Sequence, residues 1–246
     1  MNARTARKTA DAHAPIPRSR LGKRQLAAMR RRLLIWFCQC GREFPWRAAR
    51  CTTYRKAVAE LLLQRTRAET VAAFLPKFFV TYPSWRAVCD AEAATLERCL
   101  RPLGLSQRRA AVLKTLAAEM VARRGRFPRD YSGLVDLPGI GQYIANALLV
   151  VVHGQRAPML DTNMARVLER CCGPRRLADI RYDPHLQNLS RRLVDCMPSA
   201  KINWAILDLG ALICTPRNPA CHACPLSAYC FYGRRVLVNP RGAGAA

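Results

Sequence analysis

Tyr131-Ser132-Gly133-Leu134-Val135-Asp136-Leu137-Pro138-Gly139-Ile140-Gly141-Gln142-Tyr143-Ile144-Ala145-Asn146-Ala147 decides how this chain folds. Two short helical patterns, Tyr131–Val135 and Gln142–Val152, flank the pentapeptide Leu137-Pro138-Gly139-Ile140-Gly141. Pro138 fixes the entry, and glycine at 139 and 141 allows positive φ and close backbone approach. The backbone N–H groups beyond Gly141 then point outward at the start of the next helix, where an anion binds. Taken alone, the pentapeptide is equally an ordinary helix–turn–helix connection.

Helical periodicity extends in both directions from this hairpin. Upstream, an amphipathic pattern begins near Gln25 (Leu26, Met29, Leu33, Leu34, Trp36, Phe37) and stops at Gly41. Phe44-Pro45-Trp46-Arg47 reads as a turn, because the residue before proline avoids the helical region. Thr53–Tyr82 predicts two helices split near Thr66, and Ser84–Gly125 two more broken at Pro102-Leu103-Gly104. Downstream, helices are expected from Asp161 to about Cys172, over Asp183–Met197 and over Asn203–Ile213. Almost nothing reads as strand, so the fold class is all-α.

The composition names the kind of partner. The 246 residues hold 41 Lys plus Arg against 16 Asp plus Glu, a formal net charge of +25, yet half are hydrophobic. That combination predicts a folded core bound to a polyanion. Residues 1–32 carry ten basic side chains against Asp11 alone, so they supply +9 and leave +16 to the rest. The start reads as a flexible basic tail over 1–24. No run reaches the roughly 20 apolar residues of a membrane span, and no secretory h-region is evident. A cytoplasmic, nucleoid-associated protein with no membrane partner is expected.

Four of the 12 cysteines cluster late: Cys214, Cys221, Cys224 and Cys230, spaced C-x6-C-x2-C-x5-C. Structural zinc commonly pairs two short C-x2–4-C knuckles, and only Cys221 and Cys224 form one. A [4Fe–4S] cluster takes four thiolates from one wrapping loop and tolerates the longer gaps. Pro216, Asn218, Pro219 and Pro225 keep that loop irregular. The other eight (Cys38, Cys40, Cys51, Cys89, Cys99, Cys171, Cys172, Cys196) are read as small buried hydrophobes. Two acids stand out on local grounds. Asp161 opens a helical run, so the positive helix end should keep it ionised; a simple cap would do the same. Glu60 sits between Ala59 and Leu61-Leu62-Leu63, an apolar setting that raises a carboxyl pKa.

The ordered set Phe44–Arg47, Ala59-Glu60-Leu61-Leu62-Leu63-Gln64-Arg65-Thr66, Leu137–Gly141, Leu160-Asp161-Thr162-Asn163 and the four cysteines resembles the helix-hairpin-helix DNA glycosylases that carry an iron–sulfur cluster. Endonuclease III, the adenine DNA glycosylases and the thymine–guanine mismatch glycosylases belong to that superfamily. The likeness runs from about residue 27 to 232. It implies two helical subdomains with duplex DNA in the cleft between them. One is a six-helix barrel, 51–153, with the hairpin at about 131–153; the other is an iron–sulfur cluster domain formed by 25–50 plus 154–232. A C-terminal tail, 233–246, follows.

By resemblance, Asp161 stabilises the oxocarbenium-like sugar, and Glu60 protonates the departing base or orders the attacking water. Tyr143 stands where endonuclease III-like enzymes have a Schiff-base lysine, and tyrosine forms no imine. The resemblance therefore implies monofunctional hydrolysis in base excision repair, without lyase action. Gln64 and Arg65 would enter the gap left by a flipped base, with Gln107 and Arg108 on a second loop; Leu137, Gly139, Ile140 and Gly141 would hold the phosphate. A solvated polar turn is the competing reading of 104–109. The short C-terminus, Tyr143 and the Glu60–Thr66 and Gly104–Ser106 segments favour thymine or uracil opposite guanine. Gln64 is a feature of the adenine branch, which leaves adenine opposite guanine or 8-oxoguanine as the alternative. A non-catalytic iron–sulfur DNA-binding protein is the alternative of another class. The expected partners are mispaired duplex DNA and a downstream abasic-site endonuclease, and the expected state is a monomer.

Overall fold

The computed structural model describes residues 21–238. The basic tail expected over 1–24 therefore lies outside the described residues as far as residue 20. The described part is helical, with no strand: α1 Lys23–Cys40, α2 Thr53–Leu62, α3 Ala68–Thr81, α4 Trp85–Asp90, α5 Ala93–Leu100, α6 Ser106–Ala122, α7 Tyr131–Val135, α8 Gln142–Val151, α9 Thr162–Cys172, α10 Pro184–Val194, α11 Ser199–Leu212 and α12 Phe231–Val238. None is long and apolar enough to cross a membrane. α12 runs through part of the stretch expected as a C-terminal tail.

Helix starts follow local chemistry. Thr52, Ser84, Asp130 and Asp161 each accept a backbone N–H with the side chain, from Arg55, Ala87, Gly133 and Met164 respectively. Asp183 does the same for Leu186 at 2.8 Å, ahead of α10. Each such cap is worth about 1 kcal/mol.

The segment before the second loop divides once more than its pattern predicts. Two helices were expected over Ser84–Gly125, and there are three, because α4 and α5 part at Ala91 (φ −60°, ψ 140°). The cause is tertiary: Lys114 on α6 donates to the carbonyls of Cys89, at 3.1 Å, and Ala91, taking up acceptors that α4 leaves open at its C-terminus.

The chain forms two compact units. Among the described residues, one holds 21–41, Leu160–Leu193 and 201–238, and the other Arg42–Met159 and Val194–Ala200. In the second, Phe78, Leu96, Leu100, Leu113, Leu116, Met120, Leu134, Ile144 and Leu148 are fully enclosed. In the first, Met29 and Leu33 of α1, Leu186 and Leu193 of α10, and Ile202 and Ile206 of α11 are. Arg30 donates to the Leu193 carbonyl at 2.8 Å and to that of Arg192, which closes the C-terminal end of α10.

Candidate active site and cluster segment

Asp130 accepts from Ser132 Oγ at 2.6 Å and from the Gly133 amide at 2.8 Å, and so starts α7. The chain turns at Gly139, whose φ is +75°. A Cβ there would meet Val112 Cγ1 at 2.2 Å, so only glycine lets the hairpin lie against α6. Gly141 differs from its expectation: its φ is −92°, and nothing stands within 4 Å of where a Cβ would be. No side chain caps α8, and an uncapped helix start beside an exposed glycine suits an anion. Leu137 and Ile140 are buried, 4% and 5% exposed, and anchor the turn; of these two residues only the main chain is presented outward. Tyr143, in the first turn of α8, is partly buried.

Two more loops of this unit are joined by one buried residue. Gln64 and Arg65 are exposed, and Arg65 has φ +57°. Gln107 and Arg108 are exposed at the start of α6. Arg109 is not part of that polar surface: at 8% exposure it donates to the carbonyls of Leu62 (3.1 Å), Gln64 (2.8 Å) and Gly104 (2.9 Å), and to Thr66 Oγ1 (2.7 Å). Burial depresses its pKa. One guanidinium thus locks both loops to each other. At the tip of the second loop Leu105 is 54% exposed with φ +51°. An aliphatic side chain in the left-handed region costs roughly 1–3 kcal/mol and is held there for a reason. The sequence reading placed Leu105 in the second loop but singled out only Gln107 and Arg108 there.

Glu60 lies on the buried face of α2, 2% exposed, and its Oε2 has no hydrogen-bond partner among the described residues. Desolvation pushes its pKa to about 7, opposed by the charge of Arg47. Arg47 is placed by the 3-10 turn Pro45–Arg47: it donates to the Arg42 carbonyl at 2.8 Å and lies over the Phe44 ring at 4.9 Å. Phe44 in turn stacks on Trp46, centroids 4.6 Å apart and planes 4° from parallel. The sequence placed Phe44–Arg47 in a turn but did not connect it with Glu60.

In the other unit, Asp161 caps α9. Its Oδ1 accepts from the Met164 amide at 2.7 Å and its Oδ2 from Asn163 Nδ2 at 2.8 Å. Burial raises its pKa, against the pull of those bonds and of Arg166. Desolvation thus works against the helix end and the bonds that favour the ionised form, and it is the larger of these effects. Arg166 holds Asn163 Oδ1 at 2.8 Å and also donates to the carbonyls of Cys214 (2.8 Å) and Gly210 (2.6 Å). A Cβ on Gly210 would approach Asn163 Cβ to 2.7 Å, so α11 supports this corner closely.

That network leads to the cysteines. Cys214, Cys221, Cys224 and Cys230 line one pocket with Arg170, Ile213, Pro219, Ser227, Tyr232 and Gly233. Among the described residues no group of three or more His, Cys, Asp or Glu side chains is set to hold a single metal ion. The sulfurs nevertheless receive the donors that thiolates of a cluster need: Arg170 Nη1 reaches Cys214 Sγ at 3.2 Å, and the Gly233 amide reaches Cys230 Sγ at 3.2 Å. Arg170 also bonds the Thr215 and Pro216 carbonyls, which shapes the loop. A donor set of four thiols with N–H groups aimed at two of them fits an iron–sulfur cluster. The other eight cysteines were expected to be buried. Only Cys171 and Cys172 are; Cys38 and Cys40 are exposed and the remaining four intermediate, because they fall on outward helix faces and loops.

Known proteins match these features. Residues 58–192 match the HhH-GPD superfamily base excision DNA repair protein family, and residues 214–230, from the first to the last of the four cysteines, match the iron-sulfur binding domain of endonuclease III. The chain is 36% identical over 217 residues to a thymine-DNA glycosylase of Aeropyrum pernix, covering 86% of this chain and 97% of that one. It is 34% identical over 216 residues to a thymine/uracil-DNA glycosylase of Pyrobaculum aerophilum, covering 84% and 92%. The solved structure of a thermostable thymine-DNA glycosylase superposes with a TM-score of 0.79 at 31% identity, covering 85% of this chain and 97% of that one. With its hairpin, its buried carboxyl and its cysteine segment all inside the matched ranges, the chain belongs to the HhH-GPD superfamily of base excision DNA repair proteins and carries an iron–sulfur binding segment like that of endonuclease III.

Proposed function

We propose that this protein is a monofunctional mismatch glycosylase that hydrolyses the N-glycosidic bond of thymine or uracil opposite guanine in duplex DNA. The observation that carries the reading is Glu60: a carboxyl enclosed in apolar surroundings, lifted to about pH 7, is half protonated near neutrality and so holds a proton for a leaving base. As that base departs, the C1′–N bond electrons go to the base and positive charge grows on the sugar. The Asp161 carboxylate stabilises that charge, and water adds to C1′ and gives up a proton, which restores the Glu60 carboxyl that protonated the base. Free base and an abasic site result. Tyr143 offers no amine, so no imine forms and the backbone is left intact. The exposed α8 start and the exposed Gln64, Arg65, Gln107 and Arg108 serve the duplex, and a downstream abasic-site endonuclease consumes the product. The choice of thymine or uracil follows the named activities of the two archaeal relatives.

Cys214, Cys221, Cys224 and Cys230 are the four ligands of a [4Fe–4S] cluster in this reading. Bound by these four residues, such a cluster would help hold the loop whose Cys214 carbonyl accepts from Arg166.

The test is a panel of duplexes bearing T·G, U·G, A·G and A·8-oxoguanine, incubated with the protein and then split between alkali and neutral gels. Breaks at T·G and U·G that appear only after alkali are expected. Cleavage without alkali overturns the monofunctional reading, and breaks at the adenine mispairs alone overturn the choice of base.

Leu105 is the wedge in this scheme. Exposed, held in a strained backbone and tied by Arg109 to the Gln64 loop, it fills the stack when a base turns out. Leu105→Ala is expected to slow single-turnover excision from duplex DNA by at least about tenfold, since unstacking costs a few kcal/mol. Its thermal midpoint should stay unchanged. A normal excision rate would remove the wedge role.

A further inference from the structure

Between α6 and α7 the chain reads Arg123-Arg124-Gly125-Arg126-Phe127-Pro128-Arg129. Arg123 is paired with Glu119 at 2.5 Å. Arg124, Arg126 and Arg129 are exposed and make no ion pair among the described residues, and the adjacent Asp130 carboxylate is taken by Ser132 and Gly133. Three unneutralised guanidinium groups therefore stand on one short loop.

The loop is not slack. The Gly125 amide bonds the Met120 carbonyl at 2.7 Å and the Arg124 amide bonds Val121 at 3.0 Å, which closes the end of α6 in a Schellman turn. Phe127 is buried, its ring edge-on to Trp85. His153 Nε2 bonds the Pro128 carbonyl at 2.8 Å and Gln155 Nε2 the Arg129 carbonyl at 2.7 Å. Within this turn, the left-handed position that glycine ordinarily fills is Arg124, φ +53°. A side chain kept there at a cost points to a use for its charge.

The place of the loop says which anion it meets. The hairpin's anion site is at the N-terminal end of α8, whereas His153 and Gln155 tie the arginine loop to the opposite end, about 15 Å away for ten residues at 1.5 Å rise. Ile144 to Val150 between those ends are all buried, so the helix itself offers no phosphate contact there. The hairpin and the arginine loop thus present phosphate donors at opposite ends of one buried helix.

We propose that Arg124, Arg126 and Arg129 form a second phosphate-binding surface that takes a different segment of duplex DNA from the one held at the hairpin. The proposal rests on the DNA-binding reading above but not on catalysis. Two occupied surfaces permit direct transfer: an incoming duplex engages the arginine loop before the first is released, so the protein changes segments without passing through solution.

The experiment follows release of a fluorescent short duplex from the full chain while unlabelled duplex is added in increasing concentration. In the unsubstituted protein the release rate should rise with competitor. In Arg124→Gly/Arg126→Gln/Arg129→Gln it should be flat, with equilibrium affinity for one short duplex and single-turnover excision unchanged. A control of equal charge, Lys77→Gln/Arg86→Gln/Arg98→Gln, should behave like the parent. Arg124→Gly alone should weaken transfer without lowering the thermal midpoint, since glycine suits the turn. Competitor-dependent release that survives in the loop variant overturns the proposal, as does a parent protein that shows none. Loss of single-duplex affinity in the loop variant also overturns it, because the loop then belongs to the first contact. Failure of excision in every protein bears on the glycosylase reading alone, since the release rates are read independently.

Discussion

Asp161→Asn is expected to cut single-turnover excision by about 10²–10³-fold or more while duplex affinity is kept. The substitution is nearly silent for the fold. Asparagine caps a helix about as well as aspartate, so the bond from the Met164 amide survives through Oδ1. The second bond does not: Asn163 donates to Oδ2, and Arg166 fixes the Asn163 amide by occupying its oxygen. Two NH2 groups then face each other, at a cost of about 1 kcal/mol, which lowers the thermal midpoint by roughly 2–4 °C. What disappears is the negative charge. A desolvated carboxylate attracts a growing sugar cation far more than one in water does, and an amide cannot replace it. Excision is read by alkali after single-turnover incubation, with affinity taken from fluorescence anisotropy on the same duplex. An excision rate within a fewfold of the parent would leave Asp161 a cap and nothing more.

The ease with which α9 was read from sequence shows where such reading works. Its cap, its amphipathic period and its stop at Gly173 are all local, and the same is true of the starts at Thr52, Ser84, Asp130 and Asp183. The four cysteines were legible for the same reason, since their spacing lies within one loop. What stayed hidden depends on contacts between residues far apart in sequence. Lys114 ends α4 from more than twenty positions away. Arg109 looks like one more base in a polar turn until its guanidinium is found among four acceptors from two loops. Arg47 was legible as part of a turn but not as the charge beside Glu60. The eight other cysteines were misjudged because burial is set by which helix face meets the core, and a hydrophobic side chain alone does not fix that. Of the two properties expected of Gly141, positive φ is absent, while the open space beside it suits close backbone approach. In the candidate site, then, the helix positions of the acids and of the hairpin could be read from the sequence. The arginine contacts around them could not.

Glu60→Gln separates catalysis from stability in opposite directions. In the folded chain Glu60 titrates at about 7 against an ordinary value of 4.5. Between those two pH values the unfolded chain has given up its proton and the folded chain has kept it. Unfolding therefore releases a proton, and stability falls as pH rises through that window, levelling off above about 7. The full loss is about 3 kcal/mol, a fall in thermal midpoint of roughly 6–12 °C for a chain of this size. Glutamine has the shape of the protonated acid and no proton to lose, so the variant's midpoint should lack this component. Parent and variant should lie close together near pH 4.5 and diverge towards pH 8, with the variant the more stable. Excision should move the other way. The parent rate should decline above about pH 7 as Glu60 ionises, while the variant should be slower by about 10²–10⁴-fold with that limb gone. Melting curves from pH 4.5 to 8, set beside excision rates over the accessible part of the range, measure both. Parallel melting profiles would mean that Glu60 is already ionised in the folded protein, and undiminished excision would move the proton to another donor. If stability rises as activity is lost, then the protein keeps an acid in apolar surroundings, at a cost to its fold, for the sake of the proton it carries.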